Sequence, residues 1–482
     1  MSQCHWLNIL IIHGAIPKRF SMTNKVFHLK ENKTFCMLGF MHSHTWPDGR
    51  VLPCCAGDIN APNKLGNIYE VLDFSKDIWN GAEYQKLRLN MLQGQKNDLC
   101  KYCYDTEDLR GTSMRTNMNE TFAHLYDNIM ATVDDASGYC GSDKMYYMDF
   151  RFSNLCNQAC ITCGHDLSSS WYELQSDMYP EHKPERPKFL VATNRYINPY
   201  DKIIDNSIDD VEVIYFAGGE PLLVPEHWQI LERLVANGRA KHVSLRYSTN
   251  LSTLKYKGKH VLDYWNKFGS VTVNASVDEV GDRFNYIRWP GDWSKISANI
   301  KTIHDAWCNP YPSHTHQITF GPVISLMNAH RLKDMVECWK NEGLLEASYS
   351  SMTLENGLMD NILRGPAQFY LGNAPEWWWE EKLLPSLDYF ERWYREHMIR
   401  HKKPNFNARV IEGLITRGLD SIRATREVQI NSVTSETGRP GKFDKKHWID
   451  WIGRADRARK TDWATTFPEL TWMLNEDWDK RA

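Results

Sequence analysis

The chain has 482 residues, enough for several domains and at least one large hydrophobic core. Its 57 basic and 60 acidic residues leave a formal charge of -3, which excludes a whole-protein electrostatic attraction to nucleic acid or an anionic membrane. Aromatic residues make up 12% of the chain, a composition typical of packed cores rather than of disorder. No apolar run reaches the roughly 18 to 20 residues of a membrane-spanning helix, so we expect a soluble protein.

The N-terminal segment and the cysteine count bear on location. The apolar run over 6–16 lacks the charged flank and the small-residue cleavage site of a signal peptide. Because Met22 follows this run, residues 1–22 are interpreted as a leader outside the fold. Twelve cysteines, several of them closely spaced, favour metal binding over disulfides, and reduced thiols predict a cytoplasmic protein.

The first zone, residues 23–140, is irregular and rich in turns, with one helical stretch predicted near 82–93. Pro47, Asp48 and Gly49 predict a hairpin turn there. The zone holds six cysteines: Cys36, Cys54, Cys55, Cys100, Cys103 and Cys140.

The second zone, residues 145–365, alternates strand-like and helix-like segments, which predicts repeated β-α units around a parallel sheet. Helices are predicted over 226–237 and 330–341 from apolar residues at helical spacing. The strand-like runs cover 146–152, 211–217, 242–248, 270–277, 316–325 and 348–354.

The third zone, residues 366–482, is predicted to be helical and is rich in tryptophan. Between about 395 and 460 basic residues outnumber acidic ones. A solvated helical face explains this excess, and a site for an anionic partner is the alternative.

Three cysteines directly after the first strand of the second zone predict a metal centre. Cys156, Cys160 and Cys163 lie within eight residues, and soft thiolates at this spacing select iron–sulfur clusters or zinc. Structural sites normally use four protein ligands, so three leave one metal position open for a cofactor or substrate. A zinc loop that borrows a fourth ligand such as His165 is the alternative.

The Cys-x3-Cys-x2-Cys spacing resembles the radical S-adenosylmethionine (SAM) superfamily, and so do elements at the ends of the later strands. The resemblance implies a partial (β/α)6 TIM-type barrel, of fold class α/β, with a [4Fe-4S] cluster on Cys156, Cys160 and Cys163. It also implies an electron donor such as flavodoxin or ferredoxin. Thr162 departs from the aromatic residue usual before the third cysteine.

The same resemblance assigns SAM contacts. Gly218, Gly219, Glu220 and Pro221 look like the family's GGEP element, whose backbone and glutamate hold the methionyl amino group. Glycine suits a backbone that approaches a ligand closely. An exposed acid that opens a helix is the alternative for Glu220.

The other implied SAM contacts follow later strands, and ordinary strand-end capping is the alternative for each of the polar ones. Ser325 and Asn328 replace the family's glycine and glutamate in the adenine-binding stretch that contains Val323. These contacts are Ser248 and Asn250, then Ser276 and Asp278, then Arg288 for the SAM carboxylate, and Val323 for the adenine.

Four cysteines of the first zone predict a second metal site. Cys36, Cys54 and the Cys100-x2-Cys103 pair provide four thiols, and a turn at Gly49 would fold Cys54 back onto Cys36. The pattern resembles the twitch domain, a shortened SPASM domain with one auxiliary [4Fe-4S] cluster, although here it precedes the barrel. Zinc is the alternative metal, and Cys55 is the alternative to Cys54 as ligand.

The resemblance implies an enzyme in which the reduced cluster cleaves SAM to a 5′-deoxyadenosyl radical that abstracts a hydrogen from a small molecule or peptide side chain. The auxiliary cluster would support oxidation or modification of the substrate, and the C-terminal region would act as a cap. Two alternatives stay open: a non-catalytic zinc-stapled binding protein, and a nucleic-acid-modifying enzyme that uses the basic third zone. No catalytic residue is assigned.

Overall fold

The computed structural model describes residues 25–58, 61, 64–181, 187–190, 199–308, 315–344, 362–363, 367–396, 418–426 and 445–475. The predicted leader over 1–22 and the predicted strand over 348–354 lie outside these residues. The predicted helical C-terminal zone is described only in part.

The central sheet has seven strands in the order β2-β1-β3-β4-β5-β8-β9. All neighbouring pairs are parallel except β1 and β2, which form an antiparallel hairpin. The strands, with the small hairpin β6-β7, are β1 His42–Thr45, β2 Val51–Leu52, β3 Tyr147–Phe150, β4 Val213–Phe216, β5 Ser244–Thr249, β6 Lys255–Tyr256, β7 Lys259–His260, β8 Ser270–Ala275 and β9 His316–Phe320.

Helices connect the strands and cover one side of the sheet. The predicted helix over 226–237 is observed at Pro225–Ala236, and the one over 330–341 begins with a 3-10 turn before its α-helical part. The α-helices are α1 Leu38–Met41, α2 Ala82–Leu92, α3 Lys101–Arg110, α4 Met114–Thr121, α5 Tyr126–Met130, α6 Ser170–Met178, α7 Pro199–Ser207, α8 Pro225–Ala236, α9 Leu262–Trp265, α10 Gly281–Ile287, α11 Trp293–Cys308, α12 Leu332–Asn341, α13 Glu376–Trp378, α14 Leu384–Tyr394, α15 Lys445–Arg459 and α16 Trp463–Thr466.

The two faces of the sheet differ in polarity, because side chains alternate along each strand. One face is apolar and buried, and on it Tyr247 of β5 forms a hydrogen bond with His227 of α8 at 2.9 Å. The other face is lined by polar side chains that are mostly half-buried. We call it the polar face; its residues are His44, Asp149, Arg151, Tyr215, Ser244, Arg246, Ser248, Ser270, Thr272, Asn274, Gln317 and Thr319.

The N-terminal zone joins the same sheet as the barrel strands. Its strand β1 pairs in parallel with β3, so that His44 lies opposite Asp149. The predicted turn is present: Gly49 has a φ of 86° and donates its N–H to the carbonyl of Trp46 at 2.9 Å. A β-carbon at Gly49 would lie 2.2 Å from the Tyr69 ring, so this turn requires glycine. The hairpin thereby brings the segment after β2 back toward the start of the zone.

Candidate active site

The loop that carries Cys156, Cys160 and Cys163 follows β3 and is fixed by backbone hydrogen bonds to the end of α10. The N–H of Ala159 donates to Trp289 O at 2.6 Å, and that of Ile161 donates to Ile287 O at 2.7 Å. Cys160 is buried, and the other two cysteines are half-buried. We call residues 154–163 the cluster loop.

The three thiols of the cluster loop interact with one another electrostatically. Burial and the neighbouring Cys160 raise the pKa of Cys156, and the same two causes raise the pKa of Cys163 to about 12. Burial also raises the pKa of Cys160, and the nearby Arg288 opposes that shift. Three convergent thiols in a desolvated loop suit a cationic iron–sulfur group, whose charge holds cysteines as thiolates. The residues present therefore fit the predicted cluster.

Glu220, at the end of β4, is not an exposed acid: its side chain is 1% exposed, so that interpretation was wrong. Its carboxylate accepts hydrogen bonds from Thr249 Oγ1 at 2.6 Å and from the backbone N–H of Asn250 at 2.7 Å. The N–H of Leu222 donates to it at 3.1 Å. Burial raises the pKa of Glu220, and these three hydrogen bonds oppose the shift. Through these hydrogen bonds the Glu220 carboxylate connects the segment after β4 to the end of β5.

Asn250, which is hydrogen-bonded to Glu220, also contacts the cluster loop. Its amide nitrogen donates to Asn157 Oδ1 at 3.0 Å and lies 3.8 Å from Cys156 Sγ. The side chain is buried. The sequence predicted Asn250 as a SAM contact, and the structure places its amide directly beside the first cluster thiol.

The second glycine of the GGEP element, Gly219, packs tightly against the cluster loop, whereas Gly218 faces Arg151. A β-carbon at Gly219 would lie 2.3 Å from the Leu155 carbonyl oxygen, a contact that real β-carbons do not make. The N–H of Glu220 also donates to Leu155 O at 2.7 Å. The close backbone approach seen here is thus to the cluster loop, and Pro221 then begins a short 3-10 helix.

Arg288 and Asp278 form a buried ion pair beside the cluster thiols, with Arg288 Nε 2.9 Å from Asp278 Oδ2. Arg288 Nη1 lies 3.9 Å from Cys160 Sγ. The Asp278 carboxylate raises the pKa of Arg288 above its ordinary value, against the effect of burial. The guanidinium therefore stays positive at the point where a SAM carboxylate is expected.

Val323 is held at the same edge of the sheet. Its N–H donates to Asp278 Oδ1 at 2.8 Å, and its carbonyl accepts from Asn328 Nδ2 at 2.9 Å. Since both backbone groups are engaged, a contact from Val323 to adenine would use its side chain. Asn328, where the family has glutamate, is fully buried and also donates to the Asp278 carbonyl at 2.7 Å.

The remaining two predicted SAM contacts have protein partners. Ser248 Oγ lies 2.8 Å from the Tyr215 hydroxyl on the polar face. The N–H of Ser276 donates to Thr249 O at 2.9 Å. His165, the alternative fourth ligand, has Nε2 3.2 Å from the carbonyl of Lys188.

The four auxiliary cysteines share one desolvated region of the N-terminal zone. Burial raises the pKa of Cys54 strongly, and the adjacent Cys55 and then Cys103, Cys100 and Cys36 all add to that shift. Cys36 and Cys103 in turn raise the pKa of Cys100. Burial and Cys103 raise the pKa of Cys36 to about 12, and the nearby Arg115 opposes that shift. The four thiols therefore lie near enough to one another to interact electrostatically, and thiolates in this number fit a second cluster.

Cys55 faces a different environment from Cys54. Apart from burial, the charges with the largest effect on its pKa are Asp149 and Arg151 on the polar face. Its Sγ lies 3.9 Å from Met114 Sδ. Within the described part of the chain, no group of three or more Cys, His, Asp or Glu side chains is arranged to hold a single metal ion.

The sequence did not indicate Arg459, at the C-terminal end of α15, as part of this site. Its Nη2 donates to the carbonyl of Ala159 in the cluster loop at 2.8 Å. The guanidinium carbon lies 5.2 Å from the ring centre of Trp171 and 5.7 Å from that of Trp289. Around this contact α15 and α6 form a second apolar core that includes Ala159. No local pattern signals a contact made across 300 residues.

Other features of the described residues lie apart from these sites. A cavity of about 310 Å³ is bounded by His330 before α12, by side chains between Trp378 and Tyr389, and by Glu469 after α16, and none of the predicted site residues lines it. Among the described residues no helix has the length and apolar character needed to cross a bilayer.

The protein thus combines a mainly parallel α/β sheet with three closely spaced thiols after β3 and four more thiols in the N-terminal zone, and this combination fits an iron–sulfur protein. Residues 150–335 match the family model of the radical SAM superfamily, and residues 36–104 match that of the SPASM iron–sulfur cluster-binding domain. The chain belongs to the radical SAM superfamily and carries an auxiliary-cluster domain. Its cofactors are accordingly SAM, a [4Fe-4S] cluster and an auxiliary iron–sulfur cluster.

One curated relative is GTP 3′,8-cyclase of Actinobacillus succinogenes. It is 26% identical over 164 residues, which are 33% of this chain. The chain spans 42% of the length of that relative. The likeness supports an enzyme of this superfamily.

Proposed function

We propose that the chain cleaves SAM reductively and abstracts a hydrogen atom from a substrate bound on the polar face. The observation that carries this proposal is the convergence of Glu220, Asn250 and Arg288 on the thiols of the cluster loop. When bound, the reduced cluster supplies the electron that splits SAM into methionine and a 5′-deoxyadenosyl radical.

The chain's own residues would bind and orient SAM and would shield the cluster loop from water. Arg288 offers a permanent positive charge for the SAM carboxylate, and Asp278 holds its orientation. Asn250 fixes the loop around Cys156. Helix α15, through Arg459, covers the outer side of the cluster loop and excludes water there.

We assign the auxiliary cluster to Cys36, Cys54, Cys100 and Cys103, which is the shortened, twitch-like form of the SPASM domain. Its support is the mutual electrostatic coupling of these thiols and the pairing of β1 with β3. Cys55 bridges from this site to Asp149 and Arg151, so an auxiliary cluster would lie close to the polar face. From that position it would support oxidation or modification of the substrate.

The substrate class is a small molecule or a peptide side chain. GTP is one compound to test, because a relative that aligns with a third of the chain acts on it. An electron donor such as flavodoxin or ferredoxin would reduce the cluster, and the need for reduced thiols favours a cytoplasmic location.

The alternative of nucleic-acid modification through the basic third zone has less support. Three of the described cations there are engaged within the protein: Arg423 pairs with Asp388 and Glu391, and Arg426 is close to Glu380. Arg454 donates to the Met178 carbonyl. These contacts favour an intramolecular role for the basic residues.

The proposal is tested by anaerobic reconstitution with iron and sulfide, followed by an assay of 5′-deoxyadenosine with SAM and dithionite. Replacing Cys156, Cys160 and Cys163 with Ala should abolish 5′-deoxyadenosine. Replacing Cys100 and Cys103 with Ala should preserve its uncoupled formation. The matched control is Cys338→Ala, on α12 outside both sites. Activity in the triple variant would refute the assignment, and a preparation that binds zinc but no iron would favour the binding-protein alternative.

A further inference from the structure

The middle of the polar face forms a continuous row of polar side chains across the sheet. Tyr215 lies opposite Arg246, which lies opposite Thr272, and Thr272 lies opposite Gln317. Paired residues of parallel strands project from the same face, so these side chains line one surface. The row begins at the paired residues His44 and Asp149. Ser248 follows Arg246 by two residues on β5 and therefore lies on the same face, next to the row.

On one side of this row the charges are compensated. Asp149 is fully buried, with His44 Nδ1 at 3.0 Å and Arg151 Nε at 2.8 Å. The Arg151 guanidinium lies 5.2 Å from the Tyr215 ring centre. The two partners hold the pKa of Asp149 below its ordinary value, so this carboxylate is negative and neutralises Arg151. The side chains of His44, Asp149 and Arg151 therefore form one border of the polar face and are paired with one another.

Arg246 is different, because it forms no ion pair with any carboxylate among the described residues. It is half-buried in the middle of the row, and its charge reaches Tyr147. The polar face thus holds two guanidinium groups, Arg151 and Arg246, and one carboxylate, Asp149. One positive charge on this face is therefore left without a carboxylate, and its N–H donors are available to a ligand.

We propose that Arg246 binds an anionic group of the substrate, a phosphate or a carboxylate. This inference rests on the proposed function, because it names the substrate class of the same site. A guanidinium presents several N–H donors in one plane and matches either anion with two hydrogen bonds. Thr272 and Gln317, which bond to each other at 3.1 Å, provide further polar contacts beside it. The anion would anchor the substrate between the cluster loop and the auxiliary cysteines.

The test measures binding by calorimetry on the anaerobically reconstituted enzyme with SAM present and without reductant. The probes are inorganic phosphate, succinate and neutral glycerol. We expect saturable binding of phosphate or succinate, with a dissociation constant about tenfold or more higher in Arg246→Gln. Arg246→Lys should bind with intermediate affinity, and Lys267→Gln, at an exposed surface position, should match the wild type.

Stronger binding of phosphate identifies a phosphorylated substrate, and stronger binding of succinate identifies a carboxylic acid. Equal affinity in wild type and Arg246→Gln overturns the inference, and so does the absence of binding by both anions. Iron content and thermal unfolding of each variant exclude misfolding as the cause of a loss. Because the measurement needs no turnover, it stays valid if 5′-deoxyadenosine formation fails, so the two proposals fail separately.

Discussion

Arg459 donates a hydrogen bond to the backbone carbonyl of Ala159, so the C-terminal helix directly holds the loop that carries the three cluster cysteines. Nε and Nη1 of this guanidinium are buried and have no hydrogen-bond partner within the described residues. The flanking rings of Trp171 and Trp289 provide the favourable cation–π environment that such a buried charge requires. The third zone is thus part of the active-site architecture.

Replacing Arg459 with Gln should loosen the cluster loop. A hydrogen bond from a charged donor contributes about 1.5–3 kcal/mol, so we expect iron to leave the reconstituted protein about tenfold faster in the presence of a chelator. The measurement is the decay of the cluster absorbance in a Cys100→Ala/Cys103→Ala background, where only the SAM-binding cluster contributes. Arg454→Gln is the control, since Arg454 is on the same helix but bonds to Met178 O. Equal decay rates in both variants would contradict the prediction.

Cys54 and Cys55 should differ in iron binding although they are adjacent. Cys54 is coupled to its neighbour Cys55 and to all three other auxiliary thiols, whereas Cys55 is coupled most strongly to Asp149 and Arg151 and, among the three other auxiliary thiols, to Cys103. We therefore expect Cys54→Ser to retain one cluster per chain and Cys55→Ser to retain two. Iron and sulfide analysis of the reconstituted variants decides between them. Loss of iron from Cys55→Ser alone would reverse the assignment.

Gly219→Ala should damage the site although it adds a single methyl group. The new β-carbon would meet the Leu155 carbonyl at 2.3 Å, and backbone atoms cannot move aside cheaply. We expect a loss of about 1–3 kcal/mol in stability together with poor cluster incorporation. Gly164→Ala is the matched control, because a β-carbon there meets no atom within 4 Å although it is next to Cys163. Thermal unfolding and iron content of both variants check this, and equal behaviour would argue against the close packing.

His227 should make the fold sensitive to mild acid. Burial lowers the pKa of His227 from 6.5 to about 3, so the folded protein keeps it neutral while the unfolded chain binds a proton below pH 6.5. The stability from this group is present above pH 6.5 and is lost as the pH falls toward 3. We expect about 1.4 kcal/mol to be lost between pH 7.5 and 5.5.

Urea unfolding at these two pH values measures the effect. In His227→Gln the pH-dependent difference should shrink by about this amount. The same change at His242, which is exposed, should leave the difference as in the wild type. An undiminished difference in His227→Gln would show that another group causes the acid sensitivity.

Much of the barrel could be predicted because its signals are local. Apolar runs marked β3, β4, β5, β8 and β9 to within a few residues. Turn chemistry at Gly49 correctly predicted the β1-β2 hairpin. These features depend on residues that are close in sequence, so a pattern can reveal them.

Other features depend on contacts between distant segments, and the sequence did not reveal them. The parallel pairing of β1 with β3 joins residues about a hundred positions apart. The burial of Glu220 follows from its hydrogen bonds to Thr249 and Asn250 on the next strand. Arg459 is one of many basic residues in its zone, and only the packing of α15 on α6 brings it to Ala159.

The place of β1 in the sheet also determines how the protein can be divided. Removing the cluster-binding zone would strip β3 of a neighbour and leave its N–H and C=O groups unpaired along an open edge, which invites aggregation. During synthesis this zone emerges first, so β1 is available as a template when β3 leaves the ribosome. The auxiliary domain is therefore a folding partner of the barrel. We expect that neither the N-terminal zone nor the barrel folds stably when it is expressed alone.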